Sequence, residues 1–119
     1  MIALPLPPSD NHLYGQHGKI RFMYKEGKDW REQAQWEIKR QYKGKIQTGD
    51  VKIGEITFYL KNWRDIQGSL KLIFDAMEGI VYENDRQVVR FGPVIKKKDK
   101  ENPRVEIIEF YQEKINELK

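Results

Sequence analysis

The chain of 119 residues contains no cysteine, and this absence excludes several kinds of chemistry. Disulfide crosslinks, zinc–thiolate centres and thiol nucleophiles all depend on that residue. The sequence also lacks an apolar run approaching the roughly 20 residues that a membrane-spanning helix needs. Its opening, MIALPLPPSD, lacks the basic region and the long apolar stretch of a signal peptide. We therefore expect a cytoplasmic protein that has no membrane partner.

What the chain does contain is typical of one soluble globular domain. Hydrophobic residues make up 39% of it and charged residues 34%, and three Trp, six Tyr and five Phe can fill a core. A length of 119 residues fits a single domain over 1–119. The net charge of +4 is a modest excess, which only weakly favours a polyanionic partner.

Two segments have the apolar periodicity of amphipathic helices. The first spans Asp29–Lys43, where apolar residues recur every four positions. The second spans Ile66–Glu78, with Asp65 placed to cap it and Gly79 placed to end it. Because each helix has one apolar face, each is expected to pack against a sheet.

Strand patterns surround the two helices and predict an α+β fold, a small mixed β-sheet packed against two or three helices. Residues 51–60 alternate apolar and polar side chains and are expected to form one strand. Residues 87–97 and 104–111 are expected to pair as a hairpin whose tip holds the basic cluster KKKDK. The other expected elements are short strands over 1–7 and 20–24, a loop over 7–19 and a frayed helical tail over 112–119.

Acidic residues lie at both sides of the second helix. Asp65 follows the strand over 51–60, and Asp85 precedes the next strand. If those strands are neighbours, the two carboxylates meet at one end of the sheet and suit Mg²⁺ or Mn²⁺, which can activate water for phosphodiester hydrolysis. Lys71, further along the helix, is placed to bind the phosphate. Taken singly, Asp65 can be only a cap, and Lys71 with Asp75 only an i,i+4 surface pair.

Several separated motifs agree with one known family pattern. The runs DIQGSLKLIFDAMEG, over 65–79, and DRQVV, over 85–89, resemble D-x-D-N-x-x-K-x-x-x-D-A-L, then a glycine, then D-x-Q-V. The earlier run LPLPPSDNHLY, over 4–14, is similar to that family's LPxPPSxNxxY opening. On these residues the chain resembles the RusA-type Holliday junction resolvases, endonucleases of DNA recombination and repair that phages and prophages often carry.

The resemblance implies a homodimer that binds four-way DNA junctions and nicks two opposed strands by Mg²⁺- or Mn²⁺-dependent hydrolysis. Asp65 and Asp85 would then be catalytic metal ligands, and Lys71 would lie near the scissile phosphate. Gln67 and Asp75 complete the expected set of metal ligands. The expected DNA contacts are Lys61, Arg64, Asn11, Lys96, Lys97 and Lys98.

One position departs from the family pattern, because Gln67 stands where the second acid of D-x-D is expected. A glutamine carbonyl can coordinate a hard cation, but it brings no charge and so weakens a Mg²⁺ site. Three accounts are open: Gln67 ligates weakly and leaves slow activity, another acid such as Asp75 or Glu83 replaces it, or the protein binds branched DNA without cleaving it. A protein-interaction domain with no DNA role is a further alternative.

The histidines and tryptophans carry weaker expectations. His12 and His17 share a loop and are expected to face solvent, because neither a cysteine nor a third histidine completes a metal site. Trp30 fits the apolar face of the first helix, whereas Trp36 lies off that face and suits a dimer contact. Trp63 suits stacking on an exposed base at an opened junction. Core packing or partial surface cover is the alternative for all three tryptophans.

Overall fold

The computed structural model of the chain describes residues 1–9 and 25–108 and, for their backbone only, the strands over 14–17, 20–23 and 110–112. The predictions for Asn11, for His12 and for the side chain of His17 lie outside the described residues, as does the expected tail beyond residue 112. Within the described part of the chain, no helix has both the length and the apolar character needed to cross a membrane.

The described residues form strands, two α-helices and one short 3₁₀ helix. The helices are α1 (Lys25–Gln41) and α2 (Gln67–Met77), and the 3₁₀ helix spans Asp85–Gln87. The strands are β1 (Ile2–Pro5), β2 (Tyr14–His17), β3 (Ile20–Met23), β4 (Val51–Ile53), β5 (Ile56–Leu60), β6 (Val88–Phe91), β7 (Val94–Lys98), β8 (Arg104–Ile107) and β9 (Phe110–Gln112).

A mixed four-stranded sheet lies at the centre of the fold, with the strand order β1-β8-β5-β7. β8 is antiparallel to both of its neighbours, whereas β5 and β7 are parallel. A smaller sheet has the order β6-β4-β9, and β2, which lies in the predicted loop over 7–19, pairs with β3, which lies in the predicted strand over 20–24. The mixed sheets together with two helices confirm the predicted α+β class.

Both helices pack an apolar face into one core. On α1, the buried residues Trp30, Ala34 and Ile38 recur every four positions, as the sequence predicts. Gln41 fastens the end of α1 to β1, because its side-chain amide donates to the Ala3 carbonyl and accepts from the Ala3 amide, each at 2.8 Å. The other buried apolar residues of this core include Leu4, Phe58, Leu60, Leu72, Ile73, Ala76, Met77, Val105 and Ile107.

The predicted single strand over 51–60 is wrong, because it is two strands in two different sheets. Val51 and Ile53 are buried on β4, whereas the apolar positions of β5 start at Ile56 and continue at even numbers. Successive side chains of a strand point to opposite faces, so one continuous strand cannot turn both sets inward. The chain breaks at Gly54 and Glu55, and this break sends β4 to the smaller sheet.

The predicted hairpin is wrong in its pairing. β7 and β8 both pair with β5, on opposite sides, so that β5 separates them. β5 is apolar and mostly buried, which suits the centre of a sheet, whereas the lysine-rich β7 lies at the edge, where its charges reach solvent. The predicted strand over 87–97 also divides at Gly92–Pro93, since proline has no amide hydrogen to donate to a ladder.

The helix boundaries differ from the predicted ones mainly at the starts. α1 begins at Lys25, before the predicted Asp29, and α2 begins at Gln67. The residue before α2 is Ile66, and no side chain caps the helix there, so the prediction that Asp65 caps α2 is wrong. The end of α2 is confirmed to within one residue, because the helix stops at Met77 and Gly79, two positions later, has a φ of +82°.

Candidate acidic site

Three carboxylates meet where α2 ends. Asp75 lies in the last turn of α2, Glu78 directly follows the helix, and Asp85 opens the 3₁₀ helix. One oxygen from each of these side chains lies within 4.8 Å of the other two, and all three residues are half-buried. We call this group the acidic cluster. It is the kind of hard-oxygen grouping that holds a divalent cation.

The turn after α2 brings Asp85 back to the helix. Gly79 adopts a φ of +82°, which favours glycine, and its amide donates to the Tyr82 carbonyl at 2.7 Å. The buried Tyr82 hydroxyl donates in turn to the Phe74 carbonyl at 2.7 Å. These bonds anchor the returning chain against the helix, so that Asp85 faces Asp75 across a short gap.

Gln87 fixes the 3₁₀ helix that carries Asp85. Its side-chain carbonyl accepts from the backbone amides of Glu83 and Asn84, at 2.8 and 2.9 Å. Its amide nitrogen donates to the backbone carbonyls of two residues that precede β4, Gln47 at 3.0 Å and Gly49 at 2.8 Å. The Gln87 side chain therefore joins the Asp85 turn to a separate loop.

The acidic cluster is electrostatically crowded. Burial raises the pKa of Asp75, as do its side-chain hydrogen bond with Asp85 and the charge of that residue, while Lys71 opposes the shift. Burial and the neighbouring charges of Asp85 and Asp75 also raise the pKa of Glu78. Lys71 Nζ lies 3.9 Å from Asp75 Oδ1 and its side chain is 57% exposed, so the compensation is weak. Added positive charge, as a proton or a cation, would relieve the repulsion.

The donor set fits Mg²⁺ or Mn²⁺. Both ions prefer carboxylate oxygens, and Mg²⁺ bonds them at about 2.1 Å, which places two ligand oxygens at most about 4.2 Å apart. The oxygens of the acidic cluster, within 4.8 Å of one another, need only a small side-chain adjustment to reach that spacing. Half-burial of the three residues leaves room for the water ligands that Mg²⁺ keeps.

Of the four predicted metal ligands, the structure brings Asp75 and Asp85 together and leaves Asp65 and Gln67 outside the acidic cluster. The strands next to Asp65 and Asp85, β5 and β6, lie in different sheets, so the premise that they are neighbours is wrong. Asp65 and Gln67 are exposed at the other end of α2, and Gln67 Oε1 lies 3.2 Å from the Ile66 amide. At about 1.5 Å per helical residue, Gln67 and Asp75 are roughly 12 Å apart along the axis of α2, and Asp65 precedes the helix. The roles of Asp65 and Gln67 as ligands stay predictions.

Glu78 is the member of the acidic cluster that the sequence reasoning did not single out. A signal for it exists, because residues three apart lie on one face of a helix, and Glu78 follows Asp75 by three. Glu83, which was considered as a replacement acid, is exposed and is not a member of the cluster. The spacing from Asp75 thus favours Glu78, and the folded turn leaves Glu83 outside the cluster.

The predicted DNA contacts take different positions. Arg64 is half-buried and donates from Nη2 to the Pro7 carbonyl, which ties the chain after β1 to the start of α2. Lys96 Nζ lies over the Trp63 ring, 5.2 Å from its centroid. Among the described residues of the set, Lys61, Lys97 and Lys98 are exposed. Trp30 is a core residue at 5% exposure, as predicted.

Comparison with known proteins agrees with this architecture. Residues 5–108 match the family described as "Endodeoxyribonuclease RusA". The "Crossover junction endodeoxyribonuclease RusA" of Aquifex aeolicus (strain VF5) is 32% identical over 111 residues, which cover 90% of this chain and 86% of that protein. The matched range of the family includes the whole acidic cluster and Lys71.

Proposed function

This chain belongs to the RusA endodeoxyribonuclease family, and we propose that it is a structure-selective endonuclease that resolves four-way DNA junctions. The observation that carries the proposal is the acidic cluster with Lys71 beside it. Carboxylates that crowd around a gap, with an exposed ammonium group next to them, are the groups that phosphodiester hydrolysis needs.

Asp75, Glu78 and Asp85 would hold a Mg²⁺ or Mn²⁺ ion. Such an ion supplies a water of lowered pKa and neutralises charge that develops on the phosphate. In this proposal Glu78 supplies the negative charge that the sequence lacks at Gln67. The loss of an acid at one end of α2 is then compatible with cleavage, because the charge is restored at the other end.

Lys71 would act on the phosphate directly. It lies one helical turn before Asp75, its ammonium is exposed, and its ion pair at 3.9 Å is long enough to be exchanged for a phosphate oxygen. A lysine binds phosphate as a point charge on a flexible side chain, so it can stabilise the negative charge that develops on the leaving oxygen as its bond to phosphorus breaks. Removal of Lys71 is expected to reduce cleavage more than junction binding.

Two copies of the chain would act together. A four-way junction presents two opposed strands, and symmetric nicks need two equivalent sites. A two-fold homodimer supplies both sites with matching orientation, which we include in the proposed function.

The test is cleavage of a labelled synthetic four-way junction with Mg²⁺ or Mn²⁺. We expect paired symmetric nicks that disappear in Asp75→Asn and Glu78→Gln and that persist in the control Glu101→Gln, which changes an exposed acid outside the cluster. Asp65→Asn tests the ligand role predicted from the resemblance. Cleavage that survives both cluster variants but not Asp65→Asn would show that the working site lies at the start of α2.

A second candidate function is favoured by Gln67, which removes a charge from the family motif. The protein would then bind branched DNA tightly, with strong salt dependence, and would not cleave it with either metal. Under this alternative, Gln67→Asp would create cleavage activity. Under the main proposal, the unaltered chain already cleaves, and Gln67→Asp leaves the requirement for Glu78 in place.

A further inference from the structure

An exposed tryptophan stands next to the lysine-rich edge of the central sheet. Trp63 lies in the segment between β5 and α2, and its exposure is 59%, against 5% for the core residue Trp30. The core-packing alternative for Trp63 is therefore wrong. A large aromatic ring that remains accessible to solvent is a common feature of surfaces that bind a partner.

The Trp63 ring lies against a lysine of β7. Phe58 of β5 pairs in register with Lys96 of β7, and two positions further along each strand Leu60 pairs with Lys98. Lys96 and Lys98 therefore point to the sheet face that β5 turns toward the core. The chain passes from Leu60 to Trp63 at this same edge, and Lys96 Nζ sits 5.2 Å from the ring centroid, within cation–π range.

The surroundings of Trp63 carry positive charge. Asp99, the acid within the basic cluster, is paired at 2.9 Å with Arg104, so it offers little compensation to the lysines. β7 is also an edge strand, which leaves the lysines room to reach a ligand. The exposed lysines of this surface are Lys61, Lys98 and Lys100, whereas Lys97 points to the opposite face of the sheet.

We infer that Trp63, beside Lys96, stacks on an unstacked base at the branch point of DNA, while the lysines contact the flanking phosphates. This inference rests on the proposed function for its choice of DNA as the partner. Bases stack on aromatic side chains without regard to sequence, and lysines bind phosphates in the same way. The stacking step adds selectivity, because an intact duplex hides its base faces and a branch point exposes them.

The experiment compares binding of a synthetic four-way junction with binding of a duplex of the same sequence, in EDTA so that no strand is cleaved. Trp63→Ala is expected to weaken junction binding by roughly 5- to 150-fold, the range for loss of one stacked base, and to leave duplex binding nearly unchanged. Trp63→Phe keeps a stacking ring and should retain most of the preference. Ile46→Ala, at an apolar position of the loop before β4, is the control with an exposure of 46%, and it should leave the ratio of the two affinities unchanged.

A second readout detects the stacking itself. A 2-aminopurine base placed at the branch point should change its fluorescence when the unaltered protein or Trp63→Phe binds, and not when Trp63→Ala binds. If the unaltered protein prefers junctions and Trp63→Ala keeps both that preference and the fluorescence change, the stacking inference is overturned and the proposed function stands. If the unaltered protein shows no preference for junctions, both fail.

Discussion

Asp75→Asn should make the metal-free protein more stable and at the same time remove its response to Mn²⁺. The substitution keeps the shape of the side chain and removes one charge from the acidic cluster. In the absence of a cation that charge is unfavourable, as the raised pKa of Asp75 indicates, with burial as its largest cause. A residue that is kept for function at the expense of stability behaves in this way.

The size of the effect follows from the distances. Two carboxylates 4.8 Å apart repel by about 1 kcal/mol at the dielectric constant of water and by about 3 kcal/mol at an effective value of ~20. Half-exposed groups lie nearer the first figure. Asp75 faces two such repulsions, from Glu78 and Asp85, and one attraction of similar size from Lys71 at 3.9 Å. The net gain for Asp75→Asn is therefore about 1 kcal/mol, or roughly 3–6 °C in Tm.

Thermal unfolding followed by circular dichroism measures both parts of this prediction. In EDTA and low salt, Asp75→Asn should melt above the unaltered protein, whereas the control Asp50→Asn, at an exposed position, should not. Added Mn²⁺ at about 100 times its Kd should stabilise the unaltered protein by about 2.7 kcal/mol. Asp75→Asn should lose most of that gain. A metal-free Asp75→Asn that melts below the unaltered protein, or that responds fully to Mn²⁺, would refute the electrostatic reasoning.

Three further predictions test the same site and its support. The raised pKa values of Asp75 and Glu78 mean that the folded protein binds protons there more tightly than the unfolded chain does. Between the ordinary carboxyl pKa and the raised pKa values, the stability of the metal-free protein therefore falls as pH rises. The increase in Tm on addition of Mn²⁺ should grow over the same pH window, because protons compete with the metal. Gln87→Leu should weaken Mn²⁺ binding measured by calorimetry, because it releases the turn that carries Asp85, whereas Gln35→Leu on α1 should not. Leu72→Ala, at a fully buried site on α2, should cost about 2–5 kcal/mol in urea unfolding.

Local patterns were sufficient to predict both helices and the α+β class. The periodicity of Trp30, Ala34 and Ile38 specifies the buried face of α1 without reference to any other part of the chain. The strand pairing was not predictable in the same way, since it depends on which strands are neighbours in space. The stretch over 51–60 is a partial exception, because its sequence does indicate that it forms two strands. Its apolar residues change from odd to even positions at the break between β4 and β5.

The candidate site shows the same division between local and long-range information. Lys71 and Asp75 are one helical turn apart, and their pairing could be read from their spacing. The approach of Asp85 to Asp75 depends on a turn and on the buried Tyr82. It also depends on the hydrogen bonds from Gln87 to Gln47 and Gly49, which lie about 40 positions earlier in the chain. The spacing of residues along the sequence does not predict those contacts.

The position of the acidic cluster changes how the glutamine in the family motif should be read. Gln67 and Asp65 lie at the start of α2, whereas Asp75 and Glu78 lie at its end, and Lys71 lies between the two ends. Gln67, Lys71 and Asp75 recur every four positions and therefore lie on one face of the helix. Under the proposed function, Glu78 at the second end offsets the charge lost at the first, and its carboxylate accepts from the backbone amide of Asp85. In that proposal Gln67 would weaken only the part of the site at the start of α2.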